Sequence, residues 1–490
     1  MSRAGPVPRS APCTLRGGCR AALAACVAAL GACSFAPPYR VPDTGKPPAQ
    51  YKELGDWKIA QPRDAQPRGR WWTVYNDPEL DALEDKVPSN LSLQAAFARL
   101  QQARAQYRIA RADLFPSVTA DPHATRERFS TNAPQELPGY PKLFDDFLLG
   151  ADFTYEVDLW GRVRNEVTSA RASRQASAAD YASVELSLRA QLAEDYFNLR
   201  SDDAQSQLLD KTVGDYEKSL QLETDLFDGG AAALADVAQA QAQLDNARTQ
   251  AADIKLQRAQ AEHALAVLLG ENPSLFSLPV NALPLDVVPP PIDPGFPSTL
   301  LERRPDVAEA ERRVAAANAQ IGVARAAYFP QLTLAADGGV ESTRTANLFS
   351  APSRYWSVGP QLSLPIFEGG RLVGETARVK ALYEEQVADY RNTVLGAYQD
   401  VEDNLIALRQ LQQESETDAA AVLATGVALQ QAIDRYRAGI VTYLEVSTAE
   451  TAALQAQVQA TTIQARRMSA SVLLIKALGG GWRQSSLRSE

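Results

Sequence analysis

Four stretches of the chain alternate between apolar and polar residues, a pattern typical of β-strands with one apolar and one wet face. In the clearest one, every second residue from Phe147 to Leu159 is apolar. The alternation predicts strands near residues 114–130, 143–160, 329–345 and 354–367, paired as two hairpins. Taken alone, such strands suit a membrane β-barrel and a soluble sheet equally well.

Two much longer stretches repeat apolar residues every three or four positions and contain no proline, which predicts amphipathic helices. They run from Gly161 to Phe227 and from Arg371 to Tyr436. At 1.5 Å rise per residue, each helix would extend roughly 100 Å.

A glycine follows each long stretch, and glycine just past a helix end is a turn signal. Gly229-Gly230 and Gly439 therefore predict turns, after which the chain returns as helices over Leu234–Leu269 and Leu444–Leu478. The chain is predicted to contain two long helical hairpins, over residues 161–270 and 371–478.

The two hairpins belong to an internal duplication. ARADLFPSVTA, which starts at Ala110, resembles ARAAYFPQLTL, which starts at Ala324, and similar pairs recur at offsets of about 209 to 214. We assign residues 76–278 to the first repeat and 298–480 to the second, with a proline-rich linker at 279–297 and a tail at 481–490.

The N-terminus is typical of an export signal. Residues 1–32 contain several arginines, no acid and a short apolar segment that ends in LGAC. This ending resembles a bacterial lipobox, which predicts acylation of Cys33 after cleavage; an ordinary signal peptide cut near Ala32 is the alternative. Residues 33–75 are predicted to form an extended tether and an equatorial segment, in which Trp71 and Trp72 pack.

The export signal favours the membrane interpretation of the strands. No later segment is apolar enough for a transmembrane helix, so spanning requires strands. Four strands are too few to close a barrel, because small barrels need about eight. The chain is therefore predicted to oligomerise.

Charge and residue types argue against other classes of protein. The formal charge of −10 disfavours nucleic acid. The two histidines, His123 and His263, are far apart and are predicted to be structural, so neither a catalytic nor a metal site is expected. The acid pair Asp202-Asp203 is predicted to lie on a solvated helix face.

Two motifs resemble a known family. LLERRPDVAEAERRVAAANAQIGVARAAYFPQLTL, from Leu300 to Leu334, and the closing KALGGGW, from Lys476 to Trp482, are similar to the TolC-like outer-membrane efflux proteins, in particular the lipoprotein branch of the OprM and NodT type. The resemblance implies a mainly α fold with a membrane β-barrel. Three chains would contribute four strands each to a twelve-stranded barrel, and their helical hairpins would form a periplasmic α-barrel.

The same resemblance implies partners and a location. A homotrimer, attached to the outer membrane by N-acyl and diacylglycerol lipid on Cys33, would work with a periplasmic adaptor and an inner-membrane transporter of the RND class. The chain itself would be a passive exit duct that needs no other cofactor. The alternatives are an exit duct for type I protein secretion and a lipid-anchored periplasmic scaffold that conducts nothing.

Site residues follow from the resemblance, position by position. The turns where adaptor tips dock correspond to Gly229, Gly230, Ala438 and Gly439, and the periplasmic aperture corresponds to Asp236, Tyr436, Leu444 and Glu445. Many members carry a second aspartate where this chain has Thr448, so its aperture is expected to be less acidic. Asp236 and Glu445 also have a simpler interpretation as acids that stabilise helix N-termini.

Overall fold

The computed structural model describes residues 34–54, 69–130, 143–292, 297 and 302–482. Cys33 and the predicted signal peptide lie outside these residues, as do parts of the predicted linker and tail. The chain divides into two compact units. The first, called the sheet unit, comprises Met1–Pro42, Gln102–Arg174 and Arg312–Ala388. The second, called the hairpin unit, comprises Asp43–Gln101, Gln175–Glu311 and Asp389–Glu490.

Seven α-helices are seen in the described residues. They are α1 (Pro78–Glu84), α2 (Leu91–Ala112), α3 (Arg162–Asp228), α4 (Leu234–Leu268), α5 (Pro305–Ala326), α6 (Arg371–Arg437) and α7 (Tyr443–Ala477). The helices α3 and α6 have 67 residues each, and α4 and α7 have 35 each. The observed ends lie within about one residue of those predicted from glycine positions and helical periodicity, and the duplicated, mainly helical fold is confirmed. None of the described helices combines the length and the hydropathy needed to cross a membrane.

The strands form one antiparallel sheet in the sheet unit. They are β1 (Ser117–Ala120), β2 (His123–Arg128), β3 (Leu143–Val157), β4 (Gln331–Ser342) and β5 (Arg354–Ser363). The strand β3 pairs with β1, β2 and β4, and β4 pairs with β5. The prediction of one unbroken strand over residues 114–130 was wrong, because Pro122 lies between β1 and β2. Proline has no N–H to donate to the ladder, and the register resumes directly after it.

The register across the sheet separates apolar from polar side chains. One cross-strand row consists of Val118, Phe153, Ala336 and Val358, and the adjacent row consists of Thr119, Asp152, Asp337 and Ser357. Apolar side chains on the first face are exposed in the single chain, with Val118 at 69% and Val358 at 68%. Successive residues of a strand point to opposite faces, so the predicted alternation is present as one apolar and one polar surface.

Helices α1, α3, α4 and α7 supply the main core of the hairpin unit. Trp71 and Trp72 are almost fully buried in it beside Tyr196, Leu265 and Met468. The sequence could assign this tryptophan pair only to an equatorial segment. In the structure the pair belongs to a helical core.

The prediction that Asp202-Asp203 lies on a solvated face is wrong. Asp203 is completely buried and accepts hydrogen bonds from Arg200 Nη1 at 2.8 Å and Arg258 Nε at 2.6 Å. It also accepts one from the backbone N–H of Asn281, at 2.9 Å. A buried carboxylate is stable when charges and donors surround it. Asp203 therefore fastens the start of the proline-rich linker to the long helices.

Candidate functional site

Both helical hairpins turn through the same backbone motif. Gly230 N–H donates to Phe227 O at 2.9 Å, and the N–H of Ala231 donates to Leu226 O at 2.7 Å. In the second repeat, Gly439 N–H donates to Tyr436 O and the N–H of Ile440 donates to Arg435 O, both at 2.9 Å. This is the Schellman arrangement, which satisfies the last carbonyl groups of a helix.

The motif explains which of the four predicted turn residues must be glycine. Gly230 and Gly439 adopt φ values of +76° and +70°, a left-handed conformation that residues with a Cβ adopt at a cost. Gly229 and Ala438 stand one residue earlier, where the backbone has no positive φ, and there the two repeats differ. The duplication therefore preserves the glycine that the turn requires.

Asp236 and Glu445 occupy equivalent positions but make different contacts. The Asp236 carboxylate accepts a hydrogen bond from the N–H of Ala233 at 3.2 Å, across the first turn of α4. Because the alanine N-cap has no side-chain acceptor, this is half of a capping box. The interpretation of Asp236 as an acid that stabilises a helix start is thus met in the structure.

Glu445 forms an ion pair with Arg435 instead. Arg435 lies in the last turn of α6 and Glu445 in the first turn of α7, so the pair closes the second turn from its two ends. Each charge also lies at the helix end that favours its sign. Both side chains are about half exposed, at 49% and 44%. The acid at this predicted aperture position is accordingly accompanied by a base from the same chain.

Tyr436 connects the second hairpin to the first. Its hydroxyl donates to Glu223 Oε1 at 2.6 Å, and the Glu223 side chain on α3 is fully buried. Burial raises the pKa of Glu223; the hydrogen bond from Tyr436 lowers it, and the nearby charge of Asp236 raises it. The pKa of Tyr436 is raised by burial and by Glu223. This hydrogen bond therefore joins the two 67-residue helices, α3 and α6, close to both turns.

Helices α4 and α7 meet beside this contact in an apolar cluster that includes Ala240, Tyr443 and Val446. Two side chains add direct hydrogen bonds. Tyr443 Oη donates to Gln243 Oε1 at 3.1 Å, and Gln243 Nε2 donates to the carbonyl oxygen of Ser447 at 2.7 Å. We call this contact between α4 and α7, together with the Tyr436–Glu223 hydrogen bond, the tip seam.

Glu450 is an acid within the tip seam. Its pKa is raised to about 7, mainly by burial and also by the charge of Asp215, and the nearby Tyr443 hydroxyl acts in the opposite direction. Its Oε2 is buried without a hydrogen-bond partner among the described residues. The seam therefore holds a carboxyl group whose protonation state is close to balanced at neutral pH.

Leu444 is 59% exposed in the single chain. Thr448, one helical turn further on, donates its hydroxyl to the carbonyl oxygen of Leu444 at 2.8 Å. Thr448 is the position at which the sequence resemblance implied a second aspartate. Leu444 is thus an exposed apolar residue next to the Arg435–Glu445 pair.

The sequence interpretation missed Glu223, Arg435, Gln243 and Glu450. The sequence did carry a signal for Glu223, because it falls on the helical period of the apolar stripe formed by Tyr216, Leu220 and Phe227. A charged residue within such an apolar stripe indicates that its side chain has a hydrogen-bond or ion-pair partner in the interior. No periodic signal identifies Arg435, whose ion-pair partner lies across the turn.

Comparison with known proteins follows the same pattern of two repeats. Residues 84–271 and 296–480 match the family described as Outer membrane efflux protein. The chain is 34% identical over 462 residues to the probable efflux pump outer membrane protein TtgC of Pseudomonas putida, covering 93% of this chain and 94% of that one. It is 35% identical over 460 residues to the pyoverdine export outer membrane protein OpmQ of Pseudomonas aeruginosa, covering 93% and 95%.

A solved structure is similar to this chain over nearly its whole length. The structure of the outer-membrane channel OprN superimposes with a TM-score of 0.84 at 30% sequence identity, covering 92% of this chain and all of the other. The similarity extends through both repeats, including the sheet and the hairpins.

Proposed function

The chain belongs to the outer membrane efflux protein family, and from this premise we propose that it is the exit duct of a tripartite efflux pump whose opening is controlled at the tip seam. Members of this family are channels and not enzymes, so its function is conduction. A periplasmic adaptor and an inner-membrane transporter, which we assign to the RND class, are its partners.

The tip seam is the observation that carries this proposal. A permanently open duct has no need to tie its two hairpins together near their turns. Here a buried carboxylate on the first hairpin holds a hydroxyl on the second at 2.6 Å. We propose that adaptor tips dock at Gly229, Gly230, Ala438 and Gly439, and that docking separates the seam. The aperture then widens around Leu444 and Glu445.

Three copies of the chain complete the duct in this proposal. Among the described strands, β5 and the β1–β2 side have a partner on one side only, and open sheet edges favour pairing with another chain. If β1 and β2, which share one register on β3, are counted as a single interrupted strand, four strands from each of three chains give a twelve-stranded barrel. Its exposed apolar face lies toward lipid, and the row of Asp152 and Asp337 lies toward the lumen. Strands of 10 to 15 residues are long enough to cross an outer membrane.

We further propose that Cys33 carries the N-acyl and diacylglycerol lipid that attaches the chain to the outer membrane. The lipobox-like ending of residues 30–33 supports this assignment. The cargo is proposed to be small toxic compounds or secreted metabolites. One relative is named for export of pyoverdine, and the transporter selects the compound.

Single-channel recording in planar bilayers tests the proposal. Wild type is expected to show small, infrequent openings, and Tyr436→Phe is expected to conduct more because it loses the hydrogen bond to Glu223 that joins the two hairpins. Large, steady conductance in wild type would retain the channel and remove the gate. No conductance from protein that is folded and inserted would reject the channel and favour a lipid-anchored scaffold.

A further inference from the structure

Residues 34–37, the first described residues of the chain, are held in a groove of the sheet unit. Ser34 Oγ donates to Asn165 Oδ1 on α3 at 3.0 Å. The carbonyl oxygen of Pro37 accepts from Asn318 Nδ2 on α5 at 2.9 Å. Helices α3 and α5, one from each repeat, therefore hold the two ends of a four-residue segment.

Phe35 is the centre of this contact. Its ring stacks on Phe329 with centroids 4.4 Å apart and planes 8° apart, and it also stacks on Trp160 at 6.1 Å. Its carbonyl oxygen accepts from Arg325 Nη1 at 3.2 Å. The Trp160 ring is fixed in turn, because its Nε1–H donates to the carbonyl oxygen of Pro330 at 2.7 Å.

The aromatic stack lies at one end of the sheet. Trp160 follows the last residue of β3, Phe329 precedes the first residue of β4, and the ends of these strands are paired through Val157 and Leu332. The segment is thus stacked where the two central strands, one from each repeat, leave the sheet.

Gly322 shows that the groove is built for this segment. It lies inside α5, where glycine is a poor helix former. A Cβ at this position would lie 2.5 Å from Asn165 Nδ2 and 2.7 Å from the Cβ of Ala36. A glycine here is therefore what lets residues 34–37 pass between α3 and α5.

We propose that this groove, formed by Trp160, Asn165, Asn318, Gly322, Arg325 and Phe329, is a receptor that positions the acylated N-terminus. The proposed lipid is carried by Cys33, which directly precedes Ser34 in the sequence. Phe35 is the positioning residue. The groove couples the anchor to the strands, so that the acyl chains and the sheet enter the membrane together. This inference rests on the proposed lipidation of Cys33.

Limited trypsin digestion of the full-length protein in detergent tests the groove. Arg40 is exposed, so release of the peptide that ends there reports how firmly residues 34–37 are held. Gly322→Ala is expected to release it at least ten times faster than wild type. Gly374→Ala is the matched control, because Gly374 is also helical and a Cβ there would meet no atom within 4 Å. Equal release rates in Gly322→Ala and wild type would overturn the receptor.

Substitutions of Phe35 test whether this residue positions the N-terminus or only stabilises the fold. Phe35→Ala is expected to release the peptide faster than wild type. It is also expected to lower, by at least twofold, the amount of detergent-resistant oligomer in outer-membrane fractions. Phe35→Tyr, which keeps the aromatic ring, should match wild type in both measurements. Faster release with an unchanged amount of membrane oligomer would reject the positioning role. The mass of the released peptide shows independently whether Cys33 carries lipid, so failure of the lipidation is distinguishable from failure of the groove.

Discussion

The two hairpin turns have the same backbone and different side chains. Both close with the Schellman hydrogen bonds around a glycine of positive φ. Leu226 and Asp236 in the first turn correspond to Arg435 and Glu445 in the second, at the repeat offset of 209. The first acid caps its helix and the second forms an ion pair. Duplication thus preserved the backbone geometry, while substitution gave the second turn its own electrostatic closure.

The repeats differ again where they touch. Tyr436 in the second repeat corresponds to Phe227 in the first, and only the tyrosine has a hydroxyl with which to reach Glu223. Glu450 corresponds to Gln241, which lies on the surface and bonds to Asp245. The second hairpin therefore carries the donor and the titratable group, and the first supplies the buried acceptor. Substitutions of Phe227 and Gln241, the equivalent positions in the first repeat, should therefore have little effect.

The largest effect is expected from Tyr436→Phe. It removes the hydroxyl donor from the fully buried Glu223, and hydrogen bonds to charged groups contribute roughly 1.5–3 kcal/mol. Single-channel recording should show larger or more frequent openings than in wild type. Phe227→Leu, at the partly exposed equivalent position, should change stability by less than about 0.5 kcal/mol. Similar conductance in both variants would contradict a gating role for the link.

An intermediate effect is expected from pH through Glu450. Its pKa is about 7 in the folded chain against an ordinary value of 4.5, so the folded state binds more protons between these values. The tip seam should be most stable below pH 4.5 and should lose on the order of 1–2 kcal/mol as pH rises through 7.

Hydrogen exchange over residues 443–450, corrected for intrinsic rates, measures this loss in wild type and in Glu450→Gln. The glutamine variant should lose most of the pH dependence, and what remains belongs to Glu223, whose pKa is also raised. Gln241→Ala should behave as wild type. The same slope in wild type and Glu450→Gln would show that Glu450 does not set the pH dependence of the tip seam.

The smallest effect is expected from Arg435→Gln. Exposed ion pairs contribute about 0.2–1 kcal/mol and weaken with salt. Losing Arg435 leaves Glu445 uncompensated, so reversal potentials across a KCl gradient should become more cation-selective at low salt. Arg248→Gln breaks an equally exposed ion pair with Glu217 and should leave selectivity unchanged. A matching shift in that control would assign the effect to general surface charge.

Patterns with a short period were sufficient to predict the elements. Helix ends followed from glycine and from apolar residues three or four apart, and strand faces followed from alternation, because backbone geometry determines both within a few residues. Pro122 could have been recognised as a break, since proline cannot donate within a ladder. The repeat offset then indicated that the two turns would share a geometry, which the glycines at 230 and 439 confirm.

The sequence alone therefore determined the duplicated architecture, the positions of the two turns and the polarity of the sheet faces. Only the tertiary structure decided that Asp203 is buried, that Tyr436 meets Glu223 and that Phe35 enters a groove. The Tyr436 and Glu223 side chains are 213 positions apart, and Phe35 and Arg325 are 290 apart. The partner of a side chain at such separations depends on how finished helices pack, and a local pattern carries no information about it.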